Sequence, residues 1–472
     1  MNYDFPTPGS SFRGMRVVVM GLGLNGGGLE SARYLASEGA SVTVTDLRDE
    51  KVLEPSIAEL QGLPIRYVLG RHEISDFREA DFAVKNPAVK PDSPYLAAAR
   101  RVETDLSLFL SRCPAPLIAV TGSKGKSSVS SALHWTLASA GRKAFLGGNI
   151  TLSPLSFLHG LKPEDAVVLE LSSWQLGDLR GRRRENGHAL LKPRVAIITA
   201  IMPDHLDRYA SMEAYVSDKR VIYEGQDRAD VTVCGEDFWG ESFAAESGAR
   251  VLRYRSADPG DRSAGGWIAA DGSGVGRLTG EEEARVLVPP ALRVPGRHQK
   301  GNLLAAGLGL LDFGLESEEI RKGLETFPGI EHRLEFFHRS RSGVRFYNDS
   351  AATIPEASAA AVRSFDSPPV LVAGGTDKAL DFAPLAAAAP GAKAIVLLAG
   401  SGSDLLMPLL QGAGIAYEGP YSSLEEAALR SIALAGEGDS VVLSPGCTSF
   451  GMFLNEFDRG RKWKDAIVRL AP

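Results

Sequence analysis

The sequence predicts an α/β protein of three domains, each built around a mainly parallel sheet. Three observations lead to this prediction. The chain has 472 residues, enough for about three domains of roughly 150 residues. Short apolar runs rich in β-branched residues alternate with longer helical patterns throughout. Two of these runs lead into glycine-rich turns that open helices, an arrangement that suits phosphate binding. We predict domains at residues 1–102, 103–330 and 331–472.

The composition excludes several functional classes. Lys and Arg number 52 against 58 Asp and Glu, a net charge of −6, so the chain lacks the basic footprint of a nucleic-acid or anionic-membrane binder. No apolar run approaches the ~18 residues that span a bilayer. Cys113, Cys234 and Cys447 are widely spaced, which fits a reducing cytoplasm better than a disulfide framework or a zinc cluster. We expect a cytoplasmic monomer.

The first domain begins with the fingerprint of a dinucleotide-binding turn. The run Arg16–Met20 predicts a strand, Gly21-Leu22-Gly23-Leu24-Asn25-Gly26 follows it, and Gly27–Ser37 predicts a helix. A second predicted strand, Ser41–Thr45, ends in Asp46. Glycines let the backbone approach a diphosphate, and the helix N-terminus supplies N–H donors. Taken alone, this pattern predicts NAD, with a ligand-free glycine turn as the alternative.

The second domain contains a sharper phosphate-binding motif. A predicted strand, Leu117–Val120, runs into Thr121-Gly122-Ser123-Lys124-Gly125-Lys126-Ser127-Ser128, and a helical pattern continues to about Ala140. Backbone N–H groups would cradle phosphate oxygens, Lys126 would neutralise them, and a hydroxyl would reach Mg²⁺. The first glycine, Gly122, lies closer to the lysine than in the usual phosphate loop. A plain glycine turn with a solvated lysine is the alternative.

Two further strands of this domain end in groups that suit a metal site. Ala166–Leu171 carries Glu170 near its end, and Val195–Thr199 is followed by Asp204 and His205. Ligands of open parallel sheets gather beyond the carboxyl ends of the strands. We therefore expect these side chains to face the same crevice as the phosphate loop, where a carboxylate would hold Mg²⁺.

Three other segments of the second domain have plainer interpretations. Lys219 lies on a predicted helix, Met212–Glu224, that Ser211 caps, and such a lysine is ordinarily solvated. The run Arg180–Arg184 is interpreted as a solvated loop, with an anion contact as the alternative. The stretch Glu236–Pro290 is rich in Gly, Ser, Asp and Glu, and we interpret it as an irregular insertion.

Together these motifs resemble the Mur ligases of peptidoglycan synthesis, and among them the MurD type. The third domain extends the resemblance with His332-Arg333, Asn348-Asp349-Ser350-Ala351-Ala352-Thr353, Gly374-Gly375-Thr376-Asp377-Lys378 and Ser444-Pro445-Gly446-Cys447-Thr448-Ser449-Phe450. It implies an ATP-dependent ligase that adds D-glutamate to UDP-N-acetylmuramoyl-L-alanine through an acyl phosphate. L-Glutamate is an alternative, because Ala351 and Ile354 replace the Lys and Asn common in that motif. Another amide ligase of the superfamily, a non-catalytic nucleotide-dependent regulator and an NAD oxidoreductase are the rival interpretations.

The resemblance also implies roles for individual residues. The first domain would hold UDP rather than NAD, and the third domain would bind the incoming glutamate. The residues implied for the sugar nucleotide are Leu24, Asn25, Asp46, Arg48, Asn86 and Asn149. Those implied for glutamate are Thr353, Lys378 and Ser449.

The remaining implied roles concern ATP and magnesium. The phosphate loop, Lys126 and Ser127 would serve the ATP phosphates and one Mg²⁺, with the help of Glu170. His205 would bind a second Mg²⁺, and a CO₂-derived carbamate on Lys219 would complete that site. The residues implied for the rest of the nucleotide are Asn302, Arg333 and Asp349.

Overall fold

The computed structural model of the protein describes residues 11–24, 26–90, 92–150, 152–205 and 208–472. Contacts divide the chain into two compact units, Met1–Val288 with Asn302–Gly323, and Pro289–Gly301 with Leu324–Pro472. The first unit contains two sheets and the second unit contains one, so the α/β class with three sheets is confirmed. None of the helices within the described ranges has the length and apolar character needed to cross a membrane.

The first sheet has five parallel strands in the order β3-β2-β1-β4-β5. Its central strand is buried on both faces because helices cover them, which suits its run of valines. The strands are β1 (Arg16–Met20), β2 (Ser41–Asp46), β3 (Ile65–Leu69), β4 (Phe82–Lys85) and β5 (Val102–Glu103). The helices are α1 (Gly27–Ser37), α2 (Glu50–Ala58), α3 (Ile74–Glu79) and α4 (Pro94–Ala98).

The second sheet has nine strands in the order β14-β13-β12-β11-β10-β9-β6-β8-β7. Its strands are β6 (Leu117–Thr121), β7 (Ala144–Gly148), β8 (Ala166–Glu170), β9 (Val195–Ile198), β10 (Val231–Cys234), β11 (Arg250–Arg255), β12 (Gly265–Ile268), β13 (Gly274–Arg277) and β14 (Arg285–Val288). Its helices are α5 (Asp105–Arg112), α6 (Lys126–Ser139), α7 (Ser173–Leu179), α8 (Met212–Glu224), α9 (Phe238–Glu246), α10 (Arg297–Phe313) and α11 (Ser317–Thr326). Strands β6 to β12 run parallel to one another, and β13 and β14 extend the sheet beyond β12 by antiparallel pairing.

The interpretation of Glu236–Pro290 as irregular is wrong, because this stretch supplies one helix and four strands of the second sheet. Two glycines of this stretch are needed where the sheet packs against α10. A Cβ at Gly266 would lie 2.9 Å from a methyl carbon of Leu304, and a Cβ at Gly276 would lie 2.7 Å from one of Leu308. The strands therefore carry glycine so that α10 can approach the sheet closely.

The third sheet has six strands in the order β15-β16-β20-β17-β18-β19, with only the edge strand β15 antiparallel. The strands are β15 (Glu335–Arg339), β16 (Arg345–Asn348), β17 (Val370–Gly374), β18 (Ala394–Leu398), β19 (Glu418–Tyr421) and β20 (Ser440–Leu443). The helices are α12 (Pro355–Arg363), α13 (Ala383–Ala388), α14 (Ser401–Gly412), α15 (Leu424–Leu434) and α16 (Glu456–Leu470). The carboxyl ends of β16, β17 and β20 lie side by side.

Buried ion pairs join the first sheet to the second. The Lys85 ammonium at the end of β4 lies 2.7 Å from a carboxylate oxygen of Asp178 on α7. Arg182 donates to Glu103 at 2.7 Å and to the Val102 carbonyl at 2.8 Å, and the Glu103 side chain is completely buried. Arg182 is therefore held by an ion pair and a backbone hydrogen bond, so the interpretation of this run as a solvated loop is wrong for Arg182.

We expect Lys85→Met to lower the free energy of unfolding by about 3–5 kcal/mol, because it leaves the buried Asp178 carboxylate without its cation. The double variant Lys85→Met/Asp178→Leu removes both charges and is expected to recover most of that loss. Urea unfolding of the wild type, of Lys85→Met, of Asp178→Leu and of the double variant measures the coupling. Equal losses in Lys85→Met and in the double variant would contradict the assignment of the ion pair.

Candidate active site

The turn after β6 has a backbone that demands glycine. Gly122 and Gly125 have φ angles of 143° and 94°, in the region that side chains disfavour. A Cβ at Gly122 would collide with the hydroxyl of Thr199, and one at Gly125 would lie 2.5 Å from the amide oxygen of Asn302. The chain therefore passes tightly between β9 and α10, and Asn302 lies against the phosphate loop.

Two lysines converge on one carbonyl of this loop. The Lys126 ammonium donates to the carbonyl oxygens of Gly122 at 2.9 Å and Ser123 at 3.1 Å. The Lys219 ammonium, from α8, donates to the same Gly122 oxygen at 2.8 Å. The structure thus brings together two residues that are 93 positions apart in the sequence.

Lys219 is not the solvated residue that a helical lysine usually is. Its side chain is 1% exposed, and its ammonium lies 4.6 Å from the centre of the Tyr215 ring. Burial lowers the pKa of Lys219 to about 7, and the nearby Lys126 cation acts in the same direction. A substantial fraction of this amine is therefore neutral and nucleophilic near pH 7.

Glu170 lies where β8 ends, beside the phosphate loop. Its carboxylate is 2% exposed and accepts hydrogen bonds from the Asn149 amide at 2.9 Å and the Ser130 hydroxyl at 3.4 Å. The Asn149 backbone N–H also donates to the Glu170 carbonyl at 2.8 Å. Two predicted site residues are thus joined to each other, and Ser130 of α6 ties them to the loop.

His205 follows β9 on an exposed turn with a φ of 55°. Its ring lies 5.1 Å from the Trp174 ring and 6.3 Å from the Tyr215 ring. The Tyr215 ring is thus close to both His205 and Lys219, and its hydroxyl is 3.0 Å from the Ser123 hydroxyl. Sequence reasoning missed Tyr215, although its position four residues before Lys219 on one helix face could have indicated it.

Exposed and partly buried groups complete this loop. The Lys124 ammonium is 3.5 Å from a carboxylate oxygen of Asp204, with 69% of the lysine side chain exposed. Ser127 and Ser128 lie in the first turn of α6, half-buried. The N-terminus of that helix points its free N–H groups at the loop, as anion-binding helices do.

The turn of the first domain also forms as predicted. The Gly23 N–H donates to the Asp46 carboxylate at 3.2 Å, and the Arg48 N–H donates to it at 3.0 Å. A Cβ at Gly21 would lie 3.2 Å from the Cβ of Asn86. Leu24 is half exposed, whereas Asn25 lies outside the described residues. Asp46, Asn86 and the glycine turn therefore share one edge of the first sheet.

The loops that follow β16, β17 and β20 are joined by backbone hydrogen bonds. The Gly446 N–H donates to the Ala352 carbonyl at 2.9 Å, and the Thr448 N–H donates to the Thr376 carbonyl at 3.0 Å. Within these loops Ser449 is buried, Thr353 is half-buried and Lys378 is exposed. All three residues predicted for glutamate thus belong to one cluster of loops, which we call the third-sheet loops (348–353, 374–378 and 444–449).

Asp349 lies within the first of these loops, and Arg333 precedes Leu334, whose N–H contacts Asp349. Burial raises the pKa of Asp349 to about 7. The carboxylate accepts hydrogen bonds from the Ser444 hydroxyl at 2.6 Å and the Leu334 N–H at 3.1 Å, and these bonds act on the pKa in the opposite direction. The Arg333 side chain is exposed. His332 has a φ of 63°, and its imidazole accepts or donates a hydrogen bond of 2.8 Å with Asn348.

The two carboxylates next to His332 already share a lysine partner. Glu331, His332 and Glu335 bring three potential metal ligands within 4.8 Å of one another. The Lys464 ammonium donates to Glu335 at 2.7 Å and to Glu331 at 3.3 Å. This arrangement holds the turn that carries Arg333, and a lysine occupies the place where a cation would bind.

Comparison with known protein families accounts for most of the chain. Residues 15–106 match the Mur ligase MurD-like N-terminal domain, residues 120–309 match the Mur ligase middle domain, and residues 332–447 match the Mur ligase glutamate ligase domain. Each match contains one of the three sheets or most of it.

Curated relatives match over nearly their whole length. A protein of Treponema pallidum (strain Nichols) is 42% identical, and one of Roseiflexus sp. (strain RS-1) is 41% identical. Each alignment covers 96% of this chain and 98% of the relative. Both relatives are named UDP-N-acetylmuramoylalanine–D-glutamate ligase.

Solved structures share the fold at low sequence identity. The UDP-N-acetylmuramate-alanine ligase MurC of Thermotoga maritima is 19% identical with a TM-score of 0.56, and the alignment covers 96% of this chain and 99% of that one. The MurF ligase of Thermotoga maritima in complex with ADP is 16% identical with a TM-score of 0.52, covering 100% and 98% of the two chains. The resemblance inferred from the sequence motifs is confirmed, and this chain belongs to the Mur ligase family.

Proposed function

We propose that the protein is the ATP-dependent ligase that joins D-glutamate to UDP-N-acetylmuramoyl-L-alanine in peptidoglycan precursor synthesis. Relatives at 41–42% identity carry that name over their full length, which supports the choice of D-glutamate over L-glutamate. The reaction consumes ATP, so it belongs in the cytoplasm. The free thiols of Cys113, Cys234 and Cys447 are consistent with that compartment.

The observation that carries this proposal is the meeting of Lys126 and Lys219 on the Gly122 carbonyl. The Lys126 cation, a glycine-rich turn and a helix N-terminus favour a polyphosphate, and the buried Lys219 amine lies at the same carbonyl. An NAD oxidoreductase would bind its cofactor at the turn of the first domain, and its activity would not require the phosphate loop with Lys126 and Lys219. A non-catalytic regulator would need no buried lysine of lowered pKa beside the phosphate loop.

The side chains around the loop fit magnesium only if Lys219 is modified. Glu170 and the Ser127 hydroxyl offer the oxygen ligands that Mg²⁺ prefers. An ammonium at Lys219 would repel the ion, whereas a carbamate would replace a positive charge with a ligating carboxylate group. We infer that neutral Lys219 reacts with CO₂ to form that carbamate, with Glu170, Ser127, His205 and Lys219 holding the metal ions. Bound Mg²⁺ would neutralise charge on the phosphoryl oxygens.

In the proposed reaction the protein mainly positions groups and neutralises charge. The γ-phosphoryl group of ATP passes to the alanine carboxylate of the sugar nucleotide, which gives an acyl phosphate and ADP. Lys126 and the N–H groups at the start of α6 stabilise the oxygens of the transferring group. The amine of glutamate then attacks the acyl carbon, a proton is lost, and inorganic phosphate leaves as the amide forms.

The two substrates other than ATP are assigned to different sheets. The first-domain turn, with Asp46 and Asn86, would hold the UDP group at a helix N-terminus. The third-sheet loops would hold glutamate through Thr353, Lys378 and Ser449. Lys378 is exposed and carries the charge needed for a glutamate carboxylate.

Phosphate release from ATP tests the proposal directly. With UDP-N-acetylmuramoyl-L-alanine present, we expect D-glutamate to stimulate release, with kcat/KM at least about tenfold above that for L-glutamate. Mass spectrometry of the product must show the added glutamate. Preference for L-glutamate would leave the ligase chemistry intact and change only the assigned substrate, whereas no stimulation by either would defeat the proposal.

A further inference from the structure

Arg459, on the first turn of α16, has surroundings that its sequence position does not suggest. Its side chain is completely buried. The Nε donates to the Ser350 hydroxyl at 3.0 Å and Nη2 donates to the Ser350 carbonyl at 2.9 Å. Nη1 donates to the carbonyl oxygens of Cys447 at 3.1 Å and Thr448 at 3.2 Å. One guanidinium group therefore bridges two chain segments about 100 residues apart.

Burying the charged side chain of Arg459 is unfavourable for stability, which indicates that this residue has a role other than packing. All four hydrogen-bond acceptors of Arg459 are neutral oxygens, and the Glu456 carboxylate offsets the cost of burying the charge only in part. Burial accordingly lowers the pKa of Arg459 to about 10. An apolar side chain of similar size would avoid that cost, but it could not fix the orientation of two loops as a planar fork of donors does.

The two bridged segments belong to the third-sheet loops. Ser350 follows Asp349 and precedes Thr353, while Cys447 and Thr448 lead directly to Ser449. The third loop is also close, because a Cβ at Gly375 would lie 3.7 Å from Nη1 of Arg459. The Ser350 hydroxyl donates to the Glu456 carbonyl at 2.7 Å, which ties the same loop to the start of α16.

We infer that Arg459 is a positioning residue for the amino-acid substrate. It holds loops 348–353 and 444–449 in one fixed relation, so that Thr353 and Ser449 are presented together. This inference rests on the proposed function, because it takes the third-sheet loops as the glutamate site. Arg459 itself touches no substrate and acts through the loops.

The test compares the change in KM for glutamate with the change in KM for UDP-N-acetylmuramoyl-L-alanine. We expect Arg459→Met to raise the KM for glutamate about tenfold or more, since small misplacements of binding groups are costly, while the KM for UDP-N-acetylmuramoyl-L-alanine stays within about twofold. Arg459→Lys keeps the charge but loses the fork and is expected to recover only part of the loss. The control is Arg461→Met, an exposed arginine on the same helix, with wild-type kinetics expected.

A milder variant covers the case in which Arg459→Met does not fold. Ser350→Ala removes the hydroxyl that links Arg459 to Glu456 and is expected to raise the KM for glutamate about threefold, an effect of the size of one hydrogen bond. Wild-type KM for glutamate in both Arg459→Met and Ser350→Ala would overturn the inference. An equal rise in the KM of both substrates would also overturn it, because that result indicates a general structural defect.

Hydrogen exchange distinguishes this inference from the proposed function. In Arg459→Lys, we expect amides of residues 349–353 and 447–449 to exchange at least about tenfold faster than in the wild type, with those of the second sheet unchanged. If wild-type protein shows no glutamate-dependent phosphate release, the proposed function fails, and faster exchange in these loops still supports the positioning role. Unchanged exchange there would overturn it.

Discussion

Lys219→Ala is expected to lower kcat by about 10²–10³-fold, the usual range for loss of one charge-stabilising group in an active site. The variant lacks both the amine that would carry the carbamate and the metal ligand that it would supply. Acetate or formate in the assay is expected to restore part of the activity, because a small carboxylate can enter the space left by the side chain. Phosphate release measures both effects, and full activity without added carboxylate would refute the role.

The same residue provides a stability measurement that is independent of activity. The pKa of Lys219 is about 7 in the folded protein, below its ordinary value of 10.5. Between these two pH values the unfolded state binds more protons, so this residue makes the free energy of unfolding rise with pH. Relative to Lys219→Met in CO₂-depleted buffer, wild-type stability is expected to increase by a few kcal/mol from pH 7 to pH 10.5.

Two outcomes of these experiments are decisive. A difference between wild type and Lys219→Met that does not change with pH would contradict the burial of a lysine with lowered pKa. Rescue by acetate must also be specific to this position. Applied to Lys126→Ala, the same acetate concentration is expected to have no effect, because a carboxylate cannot replace a cation.

Lys126→Ala is expected to lower kcat by on the order of 10³-fold, since phosphoryl transfer depends on neutralising the charge of the transferring group. The lysine is held at the Gly122 and Ser123 carbonyls, within the turn that would cradle the phosphates. Single-turnover phosphate release measures the effect on the chemical step. Loss of less than about tenfold would show that the loop backbone alone supplies most of the stabilisation.

The neighbouring Lys124 gives a contrast within the same motif. Its side chain is mostly exposed and pairs with Asp204 at 3.5 Å, an interaction of about 0–1 kcal/mol. We expect Lys124→Ala to raise the KM for ATP less than about tenfold and to leave kcat nearly unchanged. A loss as large as that of Lys126→Ala would show that both cations contact the reacting phosphate.

The sequence predicted those features that depend on local pattern. The strand and helix around the turn at Gly21 form within a residue of the predicted limits, as do those around Gly122. Ser211 caps α8 through its side chain, which accepts from the Ala214 N–H at 3.2 Å. Each of these features is encoded by adjacent residues: an apolar run, a glycine of positive φ or a capping hydroxyl.

Features that depend on distant contacts were missed. The glycine-rich strands of residues 265–277 have low intrinsic strand preference, and only the leucines of α10 packed on them explain their conformation. Arg459 lies in a segment of mixed charge that resembles any exposed helix start, and its burial depends in part on Ser350, which is 109 residues away in the sequence. The lowered pKa of Lys219 likewise arises from burial and from the Lys126 cation, which no pattern around residue 219 reveals.

The ion pairs between the first two sheets fix the distance between those sheets. Lys85 with Asp178, and Arg182 with Glu103, are largely shielded from water, so separating the sheets would break two ion pairs and expose the charges that form them. The same contacts hold the glycine turn at Gly21 and the phosphate loop at Gly122 within one compact unit. If the first turn holds the UDP group, as proposed, a fixed separation of the two turns would favour a sugar nucleotide whose acid reaches the phosphate loop, and this selection by length would require no contact with the sugar itself.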